Sequence, residues 1–179
     1  QVSTSSNAFI PEFKILVKTL SKEASIQPLL KFFLRNITDT ITITSRNIHH
    51  LNVALTLAKS LFSNQNLENE TFLLTYMSIT TTLLISRYPF EEDFGNPQIP
   101  QKEFEKCYSI DQSIAIRNSA SDFLGIIISK YSSHYPHLHQ KMAEFLTNII
   151  FDNRIPLISQ YGAILGLQRI DLTIVRSTL

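Results

Sequence analysis

The sequence predicts an all-α fold, and within that class an α-solenoid of antiparallel helix pairs of the HEAT type. Three observations carry this. Apolar residues recur at helical spacing along most of the 179 residues, while the stretch ITDTITITS at 37–45 alternates only loosely and has no second strand to pair with. There are only 4 glycines, too few for strands joined by tight turns. Residues 135–170 read as two helices folded back on each other, and a lone hairpin cannot bury both of its apolar faces, so it needs similar neighbours on either side.

In that hairpin Leu138, Met142, Phe145, Leu146 and Ile149 form one apolar stripe, Asp152-Asn153-Arg154 breaks it, and Pro156 suits the first turn of the second helix. Gly162 and Gly166 lie four residues apart on one face of the second helix. A glycine inside a helix costs roughly 1 kcal/mol relative to alanine. Two on one face therefore predict a close approach by another helix.

The rest of the chain follows in order. Residues 1–8 are Ser/Thr/Asn-rich and expected to fray. Pro11 opens a helix with Phe13, Leu16, Val17 and Leu20, and Pro28 opens another with Leu29, Leu30, Phe33 and Leu34. Residues 37–45 read as a connector. A helix over 46–63, capped by Thr44 or Ser45, carries Ile48, Leu51, Ala54, Leu55, Ala58, Leu61 and Phe62 on a wide apolar face. After a turn at 64–68, the helix over 69–87 is apolar nearly all round, with only a thin polar stripe at Thr71, Thr75, Ser78 and Thr82, and so is expected between other helices. Residues 88–108 hold Pro89, Pro97, Pro100, Gly95 and the acidic run Glu91-Glu92-Asp93 and read as a long loop. Ser109-x-x-Gln112 is a capping-box pattern opening a helix with Ile116, Ala120, Phe123, Leu124, Ile127 and Tyr131 buried. Residues 171–179 look like the start of a further helix.

Residues 1–179 are thus expected to form a single domain of about four helix pairs, the last cut short, with a long loop at 88–109. The natural pairing is 11–22 with 27–36, 46–63 with 69–87, 110–131 with 136–151, and 156–170 with whatever begins at Asp171.

Composition narrows the function. Hydrophobic residues make up 44% and charged residues 17%, below the quarter usual for a free globular surface, which points to surface covered by partners. With 16 basic and 15 acidic residues the net charge of +1 provides no field favouring nucleic acid. The single cysteine, Cys107, forms no internal disulfide and suits a reducing compartment, where the sequons at Asn36 and Asn69 carry no glycan. No apolar run reaches the ~18 residues of a membrane span. The chain begins at Gln1 with no basic-then-apolar leader and reads as a piece of a longer protein.

No chemistry stands out. His134, His137 and His139 flank the start of a helix and need not converge on one ion, as zinc would require. The adjacent His49 and His50 point to different sides of their helix. Cys107, beside Lys106, lacks a nucleophile elbow, and there is no glycine-rich phosphate loop. No catalytic, cofactor-binding or metal-binding residue is assigned, and no enzyme activity is expected. The candidates left are structural or interfacial. Arg117 lies between buried stripes and is expected to bridge to a carbonyl or carboxylate of a neighbouring repeat, or to meet a partner. Tyr161 is expected to bury its ring with its hydroxyl satisfied. Gly162 and Gly166 are packing devices, and Glu91, Glu92 and Asp93 form a candidate docking loop.

The segments NIHHLNVALTLAKSLFSN, DQSIAIRNSASDFLGIIISKY, YPHLHQKMAEFLTNIIFD and PLISQYGAILGLQRI resemble the C-terminal HEAT-repeat domain of subunit six, a TBP-associated factor, of the general transcription factor TFIID. The resemblance runs from about Arg46 to Ile170. It is most specific at Tyr161-Gly162-Ala163-x-x-Gly166-Leu167 and at Ala115-x-Arg117-x-x-Ala120. The chain departs from the family pattern in lacking a bulky aromatic near Ser113 or Ile114. The resemblance implies a nuclear, non-enzymatic scaffold supporting assembly of TFIID in RNA polymerase II transcription initiation. It implies contacts to other subunits, among them the histone-fold partner and the WD-repeat subunit. From composition and pattern, no cofactor, no direct nucleic-acid site and no membrane contact is expected. The rival reading is an unrelated helical-repeat adaptor in transport or trafficking.

Overall fold

The structure, a computed structural model, describes residues 9–43, 47–86 and 110–170. Among them are seven α-helices and no strand: α1 Phe9–Leu20, α2 Leu30–Ile43, α3 Ile48–Ser63, α4 Leu73–Ile85, α5 Ile110–Tyr131, α6 Pro136–Phe151 and α7 Leu157–Ile170. Single 3₁₀ turns, Ala24–Leu29 and Asn69–Phe72, lead into α2 and α4.

The helices pair, but not in the expected phase. Between chain neighbours the close pairs are α2 with α3, α4 with α5 and α6 with α7, and the most extensive contact of all is α5 with α7. In contrast, α3 touches α4 only slightly, as α5 does α6, and α1 packs on α3 instead of α2. Like members also stack, α2 on α4, α3 on α5 and α5 on α7, and α7 leans on α4 as well. An amphipathic stripe fixes which face a helix buries and leaves its partner open. The short connectors at 21–23 and 132–135 join helices of different pairs, whereas the long segment 87–109 falls inside one pair. Within α4/α5 the directions are antiparallel: Ser86, ending α4, meets Arg117 early in α5, while Tyr76, early in α4, meets Phe123 further along α5.

Residues 37–43 are a continuation of α2, correcting the connector reading. Leu30, Leu34, Ile37 and Ile41 recur at helical spacing and are buried. The threonines that gave the stretch its alternation bond backwards along the helix: Thr38 Oγ1 donates to Leu34 O at 2.9 Å, Thr40 to Asn36 O at 2.7 Å and Thr42 to Thr38 O at 2.9 Å. The cap of α3 is Asn47, whose Oδ1 accepts from the N–H groups of His49 (3.0 Å) and His50 (3.3 Å). The expected caps Thr44 and Ser45, and Ser109 of the capping box, lie outside the described residues. In α1, α2 and α6 the stripes are narrower than expected. Leu16, Leu29 in the 3₁₀ turn just before α2, and Phe145 face solvent, and Ala143 takes the buried position in α6.

The core is centred on four rings. Phe62 of α3 meets Tyr76 of α4 edge-on with centroids 5.0 Å apart, and Phe123 and Tyr131 of α5 at 5.3 and 6.0 Å. Lys130 sits over the Phe62 ring, its Nζ 4.7 Å from the centroid. Two buried asparagines close the helix ends around this cluster. Asn64 Nδ2 donates to Leu20 O (2.9 Å) and Glu23 O (3.0 Å), tying the end of α3 to the end of α1. Asn69 Nδ2 lies within hydrogen-bonding distance of the Leu61, Phe62 and Asn64 carbonyls, and its Oδ1 accepts from Tyr76 Oη at 2.7 Å. Carbonyls that a helix C-terminus leaves unpaired thus find donors without water. Burial of Tyr76 pushes its phenol pKa upward.

Candidate interaction site

The sequence-derived candidates converge where α4, α5 and α7 meet. Arg117 is 1% exposed. Its Nη2 donates to Ser86 O, the C-cap of α4, at 2.7 Å, and its Nη1 donates to Ser113 Oγ one turn back in α5. The guanidinium therefore bridges to a carbonyl and places its charge at the negative end of α4. Burial lowers its pKa to about 10, with the nearby Tyr161 phenol acting the other way, and it stays cationic at neutral pH. Ser113 is itself buried and its hydroxyl accepts from this guanidinium.

Tyr161 is half-buried on α7, beside Gly162. A Cβ built on Gly162 would lie 1.8 Å from the Leu84 carbonyl oxygen and 2.8 Å from its carbon. No side chain fits there, because the main chains of α7 and α4 are in contact. Gly166, one turn on, faces Leu146 Cδ1 (3.0 Å) and Leu84 Cδ1 (3.2 Å), where movable methyl groups are the neighbours. The α3, α5 and α7 layer is joined by polar links as well. Lys59 Nζ donates to Ser119 Oγ at 2.7 Å, and Arg169 Nε pairs with Asp122 at 2.8 Å. Burial lowers the Lys59 pKa against the opposing pull of Asp122.

Glu91, Glu92, Asp93 and Cys107 lie outside the described residues. His134 and His137 are exposed. Among the described residues no group of three His, Cys, Asp or Glu side chains is placed to hold a metal ion, and no helix is long and apolar enough to cross a membrane.

One feature escaped the sequence reading. Between the start of α4 and the start of α6 lies a cleft of about 570 Å³, lined by Leu73, Leu74, Tyr135, His137, Leu138 and Lys141 among others. Tyr135 Oη donates to Glu70 Oε1 at 2.8 Å across its edge, and a second cavity of about 640 Å³ opens beyond that bond. The signal was Leu74: it adjoins Leu73 in an apolar helix, yet it is 80% exposed.

Helices packed pairwise and stacked on their neighbours, with no strand among the described residues, define a helical-repeat fold. The chain belongs to the family of the TAF6 C-terminal HEAT repeat domain, whose profile matches residues 7–179. It is 25% identical over 166 residues to transcription initiation factor TFIID subunit 6 of Arabidopsis thaliana, covering 93% of this chain and 27% of that protein. It is 23% identical over 160 residues to the SAGA complex/transcription factor TFIID complex subunit Taf6 of Schizosaccharomyces pombe, covering 89% and 32%. The chain thus spans about a third or less of these relatives. The solved TAF6 C-terminal domain from Antonospora locustae shares the fold, with a TM-score of 0.74 at 21% identity over 93% of this chain and 74% of that one.

Proposed function

We propose that this domain is a scaffold within a TFIID subunit, holding other subunits in place during transcription initiation in the nucleus and catalysing no reaction itself. The observation that carries the reading is the family match along 7–179, supported by two relatives named as TFIID subunits. The geometry is compatible with a scaffold: main-chain contact at Gly162 and the Arg117 bridge hold α4, α5 and α7 rigidly together, which keeps a surface fixed before a partner arrives. In this reading Arg117, Tyr161, Gly162 and Gly166 maintain the stack, and Glu91, Glu92 and Asp93 dock a partner. The histone-fold partner and the WD-repeat subunit are the proposed neighbours. The test is affinity purification of the tagged full-length protein from nuclear extract, with the associated chains identified by mass spectrometry. Recovery of TFIID subunits is expected. Recovery of transport or trafficking components in their place would overturn the assignment in favour of an unrelated adaptor.

A further inference from the structure

Only α3 packs closely on α1, which leaves most of α1 uncovered. Of the side chains from Pro11 to Leu20 only Leu20 is buried, while Ile15 is 66% exposed and Leu16 43%. Beside Ile15 runs a row of lysines. Lys14, Lys18 and Lys22 are exposed and stand four residues apart. Helical hydrogen bonding continues past Leu20, with the Ser21 N–H donating to Val17 O and the Glu23 N–H to Thr19 O, so Lys22 falls on the line set by the other two. At 1.5 Å per residue the row is about 12 Å long.

The fold leaves this charge without a counter-charge. Like charges four residues apart on a helix destabilise it, and no acidic residue stands three or four positions from any of the three lysines. The neighbour α3 contains no acidic residue either. The ion pairs among the described residues are Arg35 with Asp39, Arg154 with Asp152 and Arg169 with Asp122, and none of them involves the row. Glu12 and Glu23, the acidic residues of this stretch, project about 120–140° round the helix from the midline of the row. One face of α1 therefore presents Lys14, Ile15, Lys18 and Lys22, three positive groups and an apolar one with no carboxylate among them.

We infer that this face of α1 docks an acidic helix of a partner protein. Carboxylates at every fourth position of that helix lie against Lys14, Lys18 and Lys22, and an apolar side chain next to them covers Ile15. The exposed isoleucine and the short row favour a protein over nucleic acid. A polyanion is held by a field that extends over many phosphates, whereas here three lysines stand on a chain of net charge +1. The inference rests on the reading of the domain as an interaction scaffold and names the chemistry of one partner.

The probe is a fluorescein-labelled peptide of about four helical turns, with Glu at every fourth position and Leu directly after each. It is titrated by anisotropy against the full-length protein at fixed ionic strength, beside a scrambled peptide of the same composition and a labelled DNA duplex. Saturable binding of the ordered peptide is expected, at least about tenfold tighter than that of the scrambled one. Replacing all three lysines, Lys14→Glu with Lys18→Glu and Lys22→Glu, should weaken it at least about tenfold. A peptide with Lys at each Glu position should in turn bind that triple variant at least about tenfold more tightly than it binds wild type, a rescue that a merely structural role would not give. Lys18→Glu alone should weaken the ordered peptide about threefold or more, and carries the test if the triple variant folds poorly. Lys31→Glu, at an exposed position on α2, should leave binding unchanged. No saturable binding, equal binding of the ordered and scrambled peptides, tighter binding of the duplex, or equal losses in the Lys18 and Lys31 variants would each overturn the inference. If TFIID subunits co-purify with the full-length protein but the peptide fails, the lysine row is wrong and the scaffold stands. Peptide binding without TFIID subunits has the opposite meaning.

Discussion

Gly162→Ala adds one methyl group and is the sharpest probe of the helix packing. In an exposed helix the change stabilises by roughly 1 kcal/mol. Here the new Cβ would sit 1.8 Å from the Leu84 carbonyl oxygen. A carbon–oxygen contact needs upward of about 3 Å, and a main-chain atom cannot rotate away as a side chain can, so α7 must move off α4 by more than an ångström. Gaps of 0.5–1 Å already forfeit about a quarter to a half of each dispersion contact. That places the cost at or above the upper end of the usual 1–3 kcal/mol for overpacking, and after the gain in helix propensity about 2 kcal/mol of net destabilisation remains. For a domain of this size that is a fall in Tm of about 4–8 °C. Thermal unfolding followed by circular dichroism at the helix band reads it directly. Gly125→Ala is the internal control: its Cβ meets Arg169 at 3.4 Å, ordinary contact, so it should melt at or above wild type. A Gly162→Ala protein that melted with or above wild type would refute the main-chain contact between α4 and α7.

Three further outcomes follow from other contacts. Tyr76→Phe removes the hydroxyl given to Asn69 Oδ1 and should cost about 1–2 kcal/mol in urea unfolding with the m-value unchanged, since the ring packing survives. Arg117→Met should cost about 2–3 kcal/mol by stripping Ser86 O of its buried charged donor, and hydrogen exchange at the end of α4 should quicken first. Asp152 is held from its ordinary 3.8 down to about 2, chiefly by hydrogen bonds from Arg154. A depressed carboxylate contributes stability that is present above the ordinary value and lost as pH falls through the folded one. Asp152→Asn should therefore lower Tm slightly at pH 6, with the difference from wild type fading between about pH 4 and pH 2; a difference constant across that range would exclude the pair as its source.

Sequence periodicity was enough for each helix and for most of its buried face, because a stripe at 3.6-residue spacing has one economical burial. Every residue that spacing picked out on α3 and α5, from Ile48 to Phe62 and from Ile116 to Tyr131, is buried, although Ser60, Ser121 and Ile128 are buried beside them. The glycine pair was legible for the same reason: a costly residue in a helix interior demands a steric cause. What sequence could not supply was anything fixed by a distant partner. Asn64 read as a turn residue and Asn69 as a helix start and a glycosylation sequon, yet both are buried donors to helix ends, which only the meeting of α1, α3 and α4 reveals. Residues 37–43 alternate like a strand, and helix won because Ile37 and Ile41 face the core while the threonines bond to carbonyls four residues back. The pairing phase failed on the same ground, since connector length reports nothing about which neighbour a face covers.

The close contact and the cleft are properties of the same helix. Leu84 abuts Gly162 and Leu74 opens to the cleft; ten residues apart on α4, they are separated by about 15 Å of helix. Over that distance, with no shared partner, changes at the two ends should add rather than couple. Because α7 and α5 fix the C-terminal end of α4, its N-terminal end can stand away from α6 without loosening the stack. Such a division explains how an apolar helix packed by α2, α5 and α7 still presents a leucine to solvent: α4 buries Leu73, Tyr76, Met77, Ile79, Leu83 and Leu84 without Leu74.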